Sequence, residues 1–125
     1  MTTILGINSA YHESAACLIN DGKIIAAAEE ERFNRIKHAK PARVDNADEL
    51  PVNAINFCLK KAGITLAGVN YVGYSLNSEK RLEKNMQHTH PYIATTGDFG
   101  TLEGERLFFQ KNKNVERKLR EQGFR

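Results

Sequence analysis

Three short apolar segments open the chain and predict three consecutive β-strands. They cover residues 3–7, 15–19 and 23–28. The pair Asp21-Gly22 lies between the last two, and an Asp-Gly pair between apolar runs is a strong hairpin signal because tight hairpin turns need residues that tolerate positive φ. The pattern therefore predicts an antiparallel meander.

The three segments are nearly continuous in apolar character instead of alternating between apolar and polar positions. Runs of this kind are typical of strands whose two faces are both covered by other layers. We therefore expect helices on both faces of the sheet, contributed by this chain or by sequence outside it.

A helix and a further strand follow a long polar stretch. Residues 29–49 are polar and charged, which predicts a long, mobile loop of the kind that often carries function. Residues 51–62 predict a helix that ends before Gly63, and residues 69–76 predict a fourth strand. The apolar stripe of the helix consists of Val52, Ile55, Leu59 and Ala62. The order of elements predicts an α/β domain with a parallel crossover.

The last third of the chain is less regular. Ser78 is the predicted cap of a short helix through Gln87, and residues 88–104 are rich in turn residues. Residues 105–122 predict a basic amphipathic helix. Its inward positions are Leu107, Phe108, Val115 and Leu119. A strand normally follows such a helix in an α/β unit, so we expect the domain to continue beyond residue 125.

Composition narrows the class of protein only modestly. The 125 residues are 41% hydrophobic, which suffices for one globular domain. A net charge of +3 from 18 basic and 15 acidic residues is too balanced to indicate a nucleic-acid or membrane partner. Cys17 and Cys58 have no Cys or His neighbour at metal spacing, so we expect reduced thiols and a cytoplasmic location. The N-terminus shows no export signal, and residues 24–28 are too short a run to span a bilayer.

One continuous stretch carries a family resemblance. Residues 4–38 read ILGINSAYHESAACLINDGKIIAAAEEERFNRIKH. This stretch closely resembles the start of the NodU and CmcH family of O-carbamoyltransferases, both in its YHESAA tip and in AEEERFNRIKH. The helix at 51–62, its AGIT exit and the strand ending in Tyr74-Ser75 are similar to the next unit of that family, so the resemblance covers about the first three fifths of the chain.

The resemblance implies a fold and a reaction. It implies a partial actin-like ATPase (ribonuclease H-like) domain of the Kae1-like kind, with a mixed sheet of three meander strands plus a further strand, flanked by helices. Residues 1–125 would be its N-terminal part, with a YrdC-like domain further along the polypeptide. In such enzymes the YrdC-like part makes carbamoyl-adenylate from carbamoyl phosphate and ATP, and the Kae1-like part moves the carbamoyl group to a hydroxyl of a small-molecule or natural-product acceptor.

The resemblance also implies cofactors that lie outside this segment. The family holds a divalent metal, in an iron-type site, through a downstream HHxxH-type motif. ATP and that metal are implied for the complete enzyme, whereas no metal ligand and no cofactor is expected of this segment alone. We therefore expect the isolated chain to be catalytically inactive.

Two residues are the predicted catalytic groups. His12 lies between two predicted strands, where an imidazole that titrates near neutrality can act as a base towards the acceptor hydroxyl. The alternative is a loop histidine that only bonds to the backbone. Lys37 matches the lysine of the family's RxKH motif and is expected to reach the carbamoyl or phosphate end of the intermediate. The alternative for Lys37 is a solvated loop lysine.

Other residues are assigned to substrate binding or support. The predicted substrate-binding residues are Asn8, Ser9 and His38. Asn8 stands where many actin-like ATPases carry an aspartate, which weakens a reading as an ATP hydrolase or sugar kinase. Glu30, with Arg32 and Arg35, is predicted to fix the loop through ion pairs, with a solvated charge run as the equal alternative.

Two further features are interpreted as non-functional. His88 and His90 alternate, but two histidines without a carboxylate or thiol at useful spacing make a poor metal site, so polar loop histidines are favoured. The basic residues of the last predicted helix alternate with Glu116 and Glu121, which favours a solvated face over a phosphate-binding one.

The expected partners follow from the same interpretation. They are carbamoyl phosphate, a hydroxyl acceptor and the remainder of the same polypeptide. Neither a nucleic acid nor a membrane is expected as a partner. Apolar surface left open by an incomplete domain would favour self-association of the isolated segment. The alternative function is a non-catalytic binding or regulatory module with an actin-like ATPase subdomain fold.

Overall fold

A computed structural model describes residues 1–86 and 98–125 of the chain. The four strands are β1 (Thr3–Asn8), β2 (Ala15–Asn20), β3 (Lys23–Glu29) and β4 (Tyr71–Tyr74). The helices are α1 (Glu31–Asn34), α2 (Val52–Ala62), α3 (Ser78–Met86) and α4 (Leu102–Glu121), and a 3₁₀ turn spans Leu66–Gly68. The prediction for His88 and His90 lies outside the described residues, as do most of residues 88–104.

The strands form one mixed sheet in the order β3-β2-β1-β4. Strands β1, β2 and β3 are antiparallel, whereas β4 lies parallel to β1 with Ile4 opposite Tyr71. The chain passes through α2 between β3 and β4, as a parallel connection requires. The predicted α/β architecture, with three meander strands and a further strand, is confirmed.

The hairpin between β2 and β3 forms as the sequence predicts. Asp21 and Gly22 have φ of 48° and 81°, the two positive values that a type I′ turn needs. The Asp21 carboxylate also accepts a 2.8 Å hydrogen bond from the Thr2 amide. The turn therefore fixes the register of the meander and holds the start of β1 beside it.

One face of the sheet carries the main hydrophobic core. Leu5 of β1 and Leu18 of β2 are both fully buried beneath α2 and α4. The opposite face is open in the described part of the chain, where Ile4, Ile24 and Tyr71 are 37%, 71% and 64% exposed. The described chain therefore covers one face, and cover of the other face by sequence outside this chain stays a prediction.

Helix boundaries follow the local capping chemistry. Gly63 ends α2 with φ of 68°, as predicted. Helix α4 begins at Leu102, three residues earlier than predicted, because the Thr101 hydroxyl accepts a 3.0 Å hydrogen bond from the Gly104 amide. The predicted Ser78 cap of α3 is wrong, since the side chain of Asn77 accepts the hydrogen bond from the amide at position 80.

The long loop predicted over residues 29–49 is confirmed for residues 35–49, which form neither helix nor strand, but the segment packs against the domain. The first residue of the predicted loop ends β3, residues 31–34 form α1, and Ala39, Lys40 and Ala47 are only 2%, 3% and 0% exposed. The later part packs onto a second, smaller core that includes Phe108 of α4. This segment forms a wall beside the tip of the sheet instead of projecting into solvent.

The outer surface of α4 is a solvated ionic face, as predicted. Arg117 and Arg120 pair with Glu121 and Glu116 at 2.6 and 3.0 Å, and these four side chains are more than half exposed. In the part of the chain that the structure describes, no helix is both long and apolar enough to cross a membrane.

Candidate functional site

Two loops that are distant in sequence meet at one end of the sheet. We call residues 9–14, between β1 and β2, the tip loop, and residues 35–40, after α1, the basic loop. The Glu13 amide donates a 2.7 Å hydrogen bond to the His38 carbonyl, and the Glu13 carboxylate bonds to Nδ1 of the same histidine. The two loops therefore form one continuous surface.

The structure brings two of the predicted site residues together. His12 is exposed, and its ring centroid lies 5.1 Å from that of His38 with an angle of 30° between the rings. Two imidazoles in contact at an exposed loop tip offer ring nitrogens that can accept a proton from a ligand or donate one to it. The catalytic role of His12 stays a prediction.

Asn8 fastens the tip loop. Its amide nitrogen donates hydrogen bonds to the carbonyls of His12 (3.3 Å) and Glu13 (3.0 Å), and its oxygen accepts a 2.7 Å hydrogen bond from the Ser75 hydroxyl. An aspartate here would lack the donor that holds the two carbonyls, since an ionised carboxylate only accepts. The contacts thus explain an amide at this position, and the substrate-binding role stays a prediction.

Ser9 is the buried first residue of the tip loop. It is 0% exposed, and its hydroxyl donates to the Ala47 carbonyl at 3.2 Å and lies 3.1 Å from the Tyr74 hydroxyl. Burial raises the pKa of Tyr74, which also donates a 2.8 Å hydrogen bond to Asn112 of α4. The Ser9 side chain supports the wall beside the site in this conformation, and its predicted substrate contact stays untested.

The glutamates at the end of β3 and the start of α1 support the site through hydrogen bonds, not through the predicted ion pairs. Glu30 is 7% exposed, and its carboxylate accepts hydrogen bonds of 2.8 Å from the side chain of Asn53 and from the Ala54 amide. Glu31 accepts a 2.6 Å hydrogen bond from the His38 amide. No ion pair of the described residues joins this run to the predicted arginines at 32 and 35, so that detail is wrong.

Replacing Glu30 with alanine should lower the free energy of unfolding by roughly 1–2 kcal/mol, because the first turn of α2 loses a buried cap. Urea unfolding followed by circular dichroism measures the change. The neighbouring Glu29→Ala is the control, since Glu29 is exposed and its removal should change stability by no more than about 0.5 kcal/mol. Equal effects of the two substitutions would contradict the capping role of Glu30.

Backbone strain is concentrated in the same two loops. Glu13, Arg35, His38 and Ala39 have φ of 60°, 60°, 62° and 69°. The fifth non-glycine residue with positive φ in the described chain is Asp21, in the hairpin turn. Side chains on such backbone cost roughly 1–2 kcal/mol each, and such strain clusters at functional sites. The geometry therefore favours a functional role for this end of the sheet.

The second predicted catalytic residue lies in a polar groove. Lys37 lines an open groove of about 500 Å³ together with Arg32, Arg35, Glu29 and Glu31. None of the ion pairs in the described chain uses these three cations. They are therefore available to an anionic ligand, although the role of Lys37 stays a prediction.

Lys40 is a residue that sequence reasoning missed. Its side chain is buried, and its Nζ donates hydrogen bonds to the carbonyl of Ser9, at 2.5 Å, and to that of Asn46. Burial lowers the pKa of Lys40 to about 8, although the charges of Glu49 and Asp48 act in the opposite direction. Nothing in the local sequence marks this lysine as buried, because lysines are rarely found inside.

The buried amine predicts a pH-dependent stability. The unfolded chain keeps the Lys40 proton up to about pH 10.5 and the folded chain only to about pH 8, so between these values the unfolded state binds more protons and folding becomes more favourable as pH rises. The free energy of unfolding of wild type minus that of Lys40→Met should rise by up to about 3 kcal/mol across this window.

Taking the difference between the two proteins removes the titrations they share. The exposed Lys23→Met variant is the control and should follow wild type throughout the window. Denaturant unfolding at a series of pH values gives the curves. A flat difference for Lys40→Met would show that the amine keeps its ordinary protonation in the folded chain.

A second missed feature anchors the tip loop from the side. The Arg81 guanidinium lies 4.8 Å from the ring of Phe108 and 5.3 Å from that of Tyr11, and it bonds to the Tyr11 hydroxyl. It also donates to Glu105 at 3.0 Å, whose side chain is 2% exposed. Cation–π contacts and a buried ion pair together hold Tyr11, next to His12, in place.

The side chains that could ligate a metal ion do not cluster in the described part of the chain. Among residues 1–86 and 98–125 no group of three or more His, Cys, Asp or Glu side chains has the geometry to hold a metal ion. The described part of the chain therefore has no ligand set that fits the family's metal.

The fold and site define an α/β domain with a polar, strained strand tip, and comparison with known proteins identifies its family. Residues 3–118 match the family described as carbamoyltransferase N-terminus. This match spans most of the chain, and the chain therefore belongs to the carbamoyltransferase N-terminus family.

Individual relatives match a little more than half of the chain. An uncharacterised protein of Synechocystis, sll1178, is 49% identical over 72 residues, which are 58% of this chain and 10% of the relative. Nodulation protein NolNO of Sinorhizobium fredii is 42% identical over 67 residues, 54% of this chain and 9% of the relative. The chain thus spans about a tenth of the length of these two relatives.

Solved structures with a similar fold include the following protein. YeaZ from Pseudomonas aeruginosa aligns over 96% of this chain and 41% of its own, with 13% sequence identity and a TM-score of 0.47.

Proposed function

We propose that this chain is the N-terminal segment of an O-carbamoyltransferase of the actin-like ATPase superfamily. The complete enzyme transfers a carbamoyl group from carbamoyl phosphate, through carbamoyl-adenylate made with ATP, to a hydroxyl of a small-molecule or natural-product acceptor. The observation that carries the proposal is the exposed contact between His12 and His38 on a strained loop tip, in a chain of the carbamoyltransferase N-terminus family.

The residues of the tip have distinct roles in this proposal. The acceptor oxygen attacks the carbonyl carbon of the carbamoyl group, a new C–O bond forms, the bond from carbon to the phosphate oxygen breaks, and AMP leaves. His12 accepts the proton of the attacking hydroxyl. Lys37 holds the anionic end of the intermediate, and Arg32 and Arg35, which line the same groove, add positive charge there.

In this proposal the segment depends on other parts of the same polypeptide. ATP binding, metal binding and adenylate formation are assigned to other parts of the polypeptide, so the isolated chain should be inactive. The open face of the sheet, which includes Ile24 and Tyr71, is a surface for the rest of the polypeptide or for self-association of the isolated chain. The two free thiols, Cys17 and Cys58, are in keeping with a cytoplasmic location.

The test uses the complete polypeptide that contains this segment, in parallel with residues 1–125 alone. Each is incubated with ATP and radiolabelled carbamoyl phosphate, with and without a panel of alcohols. We expect the complete polypeptide to form carbamoyl-adenylate and to release labelled carbamate esters, and the isolated chain to do neither. If the complete polypeptide forms no adenylate, the carbamoyltransferase proposal fails and a non-catalytic binding module takes its place.

A further inference from the structure

Three hydrogen bonds hold His38, through its amide, its carbonyl and its ring. Its amide donates to the Glu31 carboxylate at 2.6 Å, its carbonyl accepts from the Glu13 amide at 2.7 Å, and its Nδ1 bonds to the Glu13 carboxylate. Together these contacts fix both the backbone and the ring of His38.

The bond to Glu13 determines where the ring carries its proton. An ionised carboxylate only accepts hydrogen bonds, so Nδ1 of His38 must be the donor and must carry a hydrogen. The Nε2 atom is then the position left for other partners. Because the ring also lies 5.1 Å from that of His12, its orientation limits the space in which His12 can turn.

We propose that Glu13 is a positioning residue: it keeps the proton on Nδ1 of His38 and, through the fixed His38 ring, sets the orientation of His12. The inference rests on the proposed function, in which His12 is the base for the acceptor hydroxyl. A carboxylate that fixes the tautomer and orientation of an imidazole is a recurrent way to prepare a histidine for chemistry or ligand binding.

Stability alone does not account for this pair. The side chains of His38 and Glu13 are 48% and 42% exposed, and an exposed ion pair contributes only about 0.2–1 kcal/mol. Both residues also have left-handed backbone, at φ of 62° and 60°, which at roughly 1–2 kcal/mol each costs more than the pair contributes. What the arrangement provides is a fixed geometry next to His12.

The experiment reads the tautomer directly. Long-range ¹H–¹⁵N spectra of the chain labelled in its histidine rings distinguish a hydrogen on Nδ1 from one on Nε2, and loss of a signal set in His38→Asn assigns that ring. In wild type we expect a hydrogen on Nδ1 of His38. In Glu13→Ala we expect the Nε2-bound tautomer that free histidine prefers, together with shifted ring signals of His12.

Three further variants complete the test. Glu13→Gln keeps an acceptor oxygen and should retain the hydrogen on Nδ1. Glu13→Gly removes the carboxylate but relieves the left-handed backbone, so it replaces Glu13→Ala if that variant does not fold. Glu83→Ala removes an exposed carboxylate of α3 and should leave both rings as in wild type.

Two results would overturn the inference. The first is a bare Nδ1 on His38 in wild type, and the second is a Glu13→Gly variant with wild-type tautomer and wild-type His12 signals. Neither result depends on catalysis. An inactive complete polypeptide would therefore refute the proposed function, whereas an unchanged tautomer would refute the positioning role of Glu13.

Discussion

Replacing His12 with asparagine should reduce carbamoyl transfer to an acceptor hydroxyl by roughly 10²–10⁴-fold in the complete polypeptide, the usual contribution of a general base. Asparagine approximates the size of the ring and can form hydrogen bonds, but it cannot take the proton of the attacking hydroxyl. Formation of carbamoyl-adenylate should continue at the wild-type rate, because the proposal assigns that step to another part of the polypeptide.

The two steps are measured separately in one assay, as labelled adenylate and as labelled carbamate ester. His88→Asn is the matched control, since it is the same substitution at a histidine to which the proposal gives no role. A His12→Asn protein that transfers at the wild-type rate would remove the proposed base. A protein that loses both steps would indicate a structural role for His12 instead.

The largest expected effect on stability is that of Phe108→Ala, which should lower the free energy of unfolding by about 3–5 kcal/mol. Phe108 is 1% exposed, and its ring lies 5.2 Å from that of Tyr11 and 5.1 Å from that of Phe99. Removing it opens a cavity beneath the tip loop and takes away the nearest aromatic face of the Arg81 guanidinium.

Urea unfolding of the isolated chain measures this loss. Phe33→Ala is the matched control, because Phe33 is 41% exposed and its truncation should change stability by less than about 1 kcal/mol. In the complete polypeptide, Phe108→Ala should also slow carbamoyl transfer, since Tyr11 is next to His12. A Phe108→Ala chain as stable as the control would show that this second cluster does not act as a core.

The parts of the fold that depend on nearby residues could be predicted from the sequence. Asp21-Gly22 predicts the hairpin because the turn needs two positive φ values within two adjacent residues. The glycine stop of α2 is equally local, and the helix ends at Ala62 as predicted. The predicted apolar stripe is correct for Ile55 and Leu59, which are buried, whereas Val52 is 41% exposed. The family resemblance added His12 and His38, which the structure places in contact.

The parts that depend on distant residues could not be predicted in this way. Lys40 is buried because carbonyls 31 and 6 residues away accept its hydrogen bonds, and a polar sequence context gives no sign of this. Glu30 caps a helix 23 and 24 residues further on instead of pairing with arginines beside it. Arg81 meets Tyr11 across 70 residues. Such contacts are set by the topology of the sheet.

The Asn8 side chain also implies an order of assembly for the site. The β2–β3 hairpin lies within the first 29 residues, and so do the two carbonyls to which Asn8 donates, those of His12 and Glu13. The third hydrogen-bond partner of Asn8 is Ser75, which lies 67 residues away and follows β4. Long-range pairing of this kind forms later than local hairpins during folding. On the ribosome, the complete YHESAA motif would therefore emerge well before its geometry is set, and that geometry would form only when β4 joins β1.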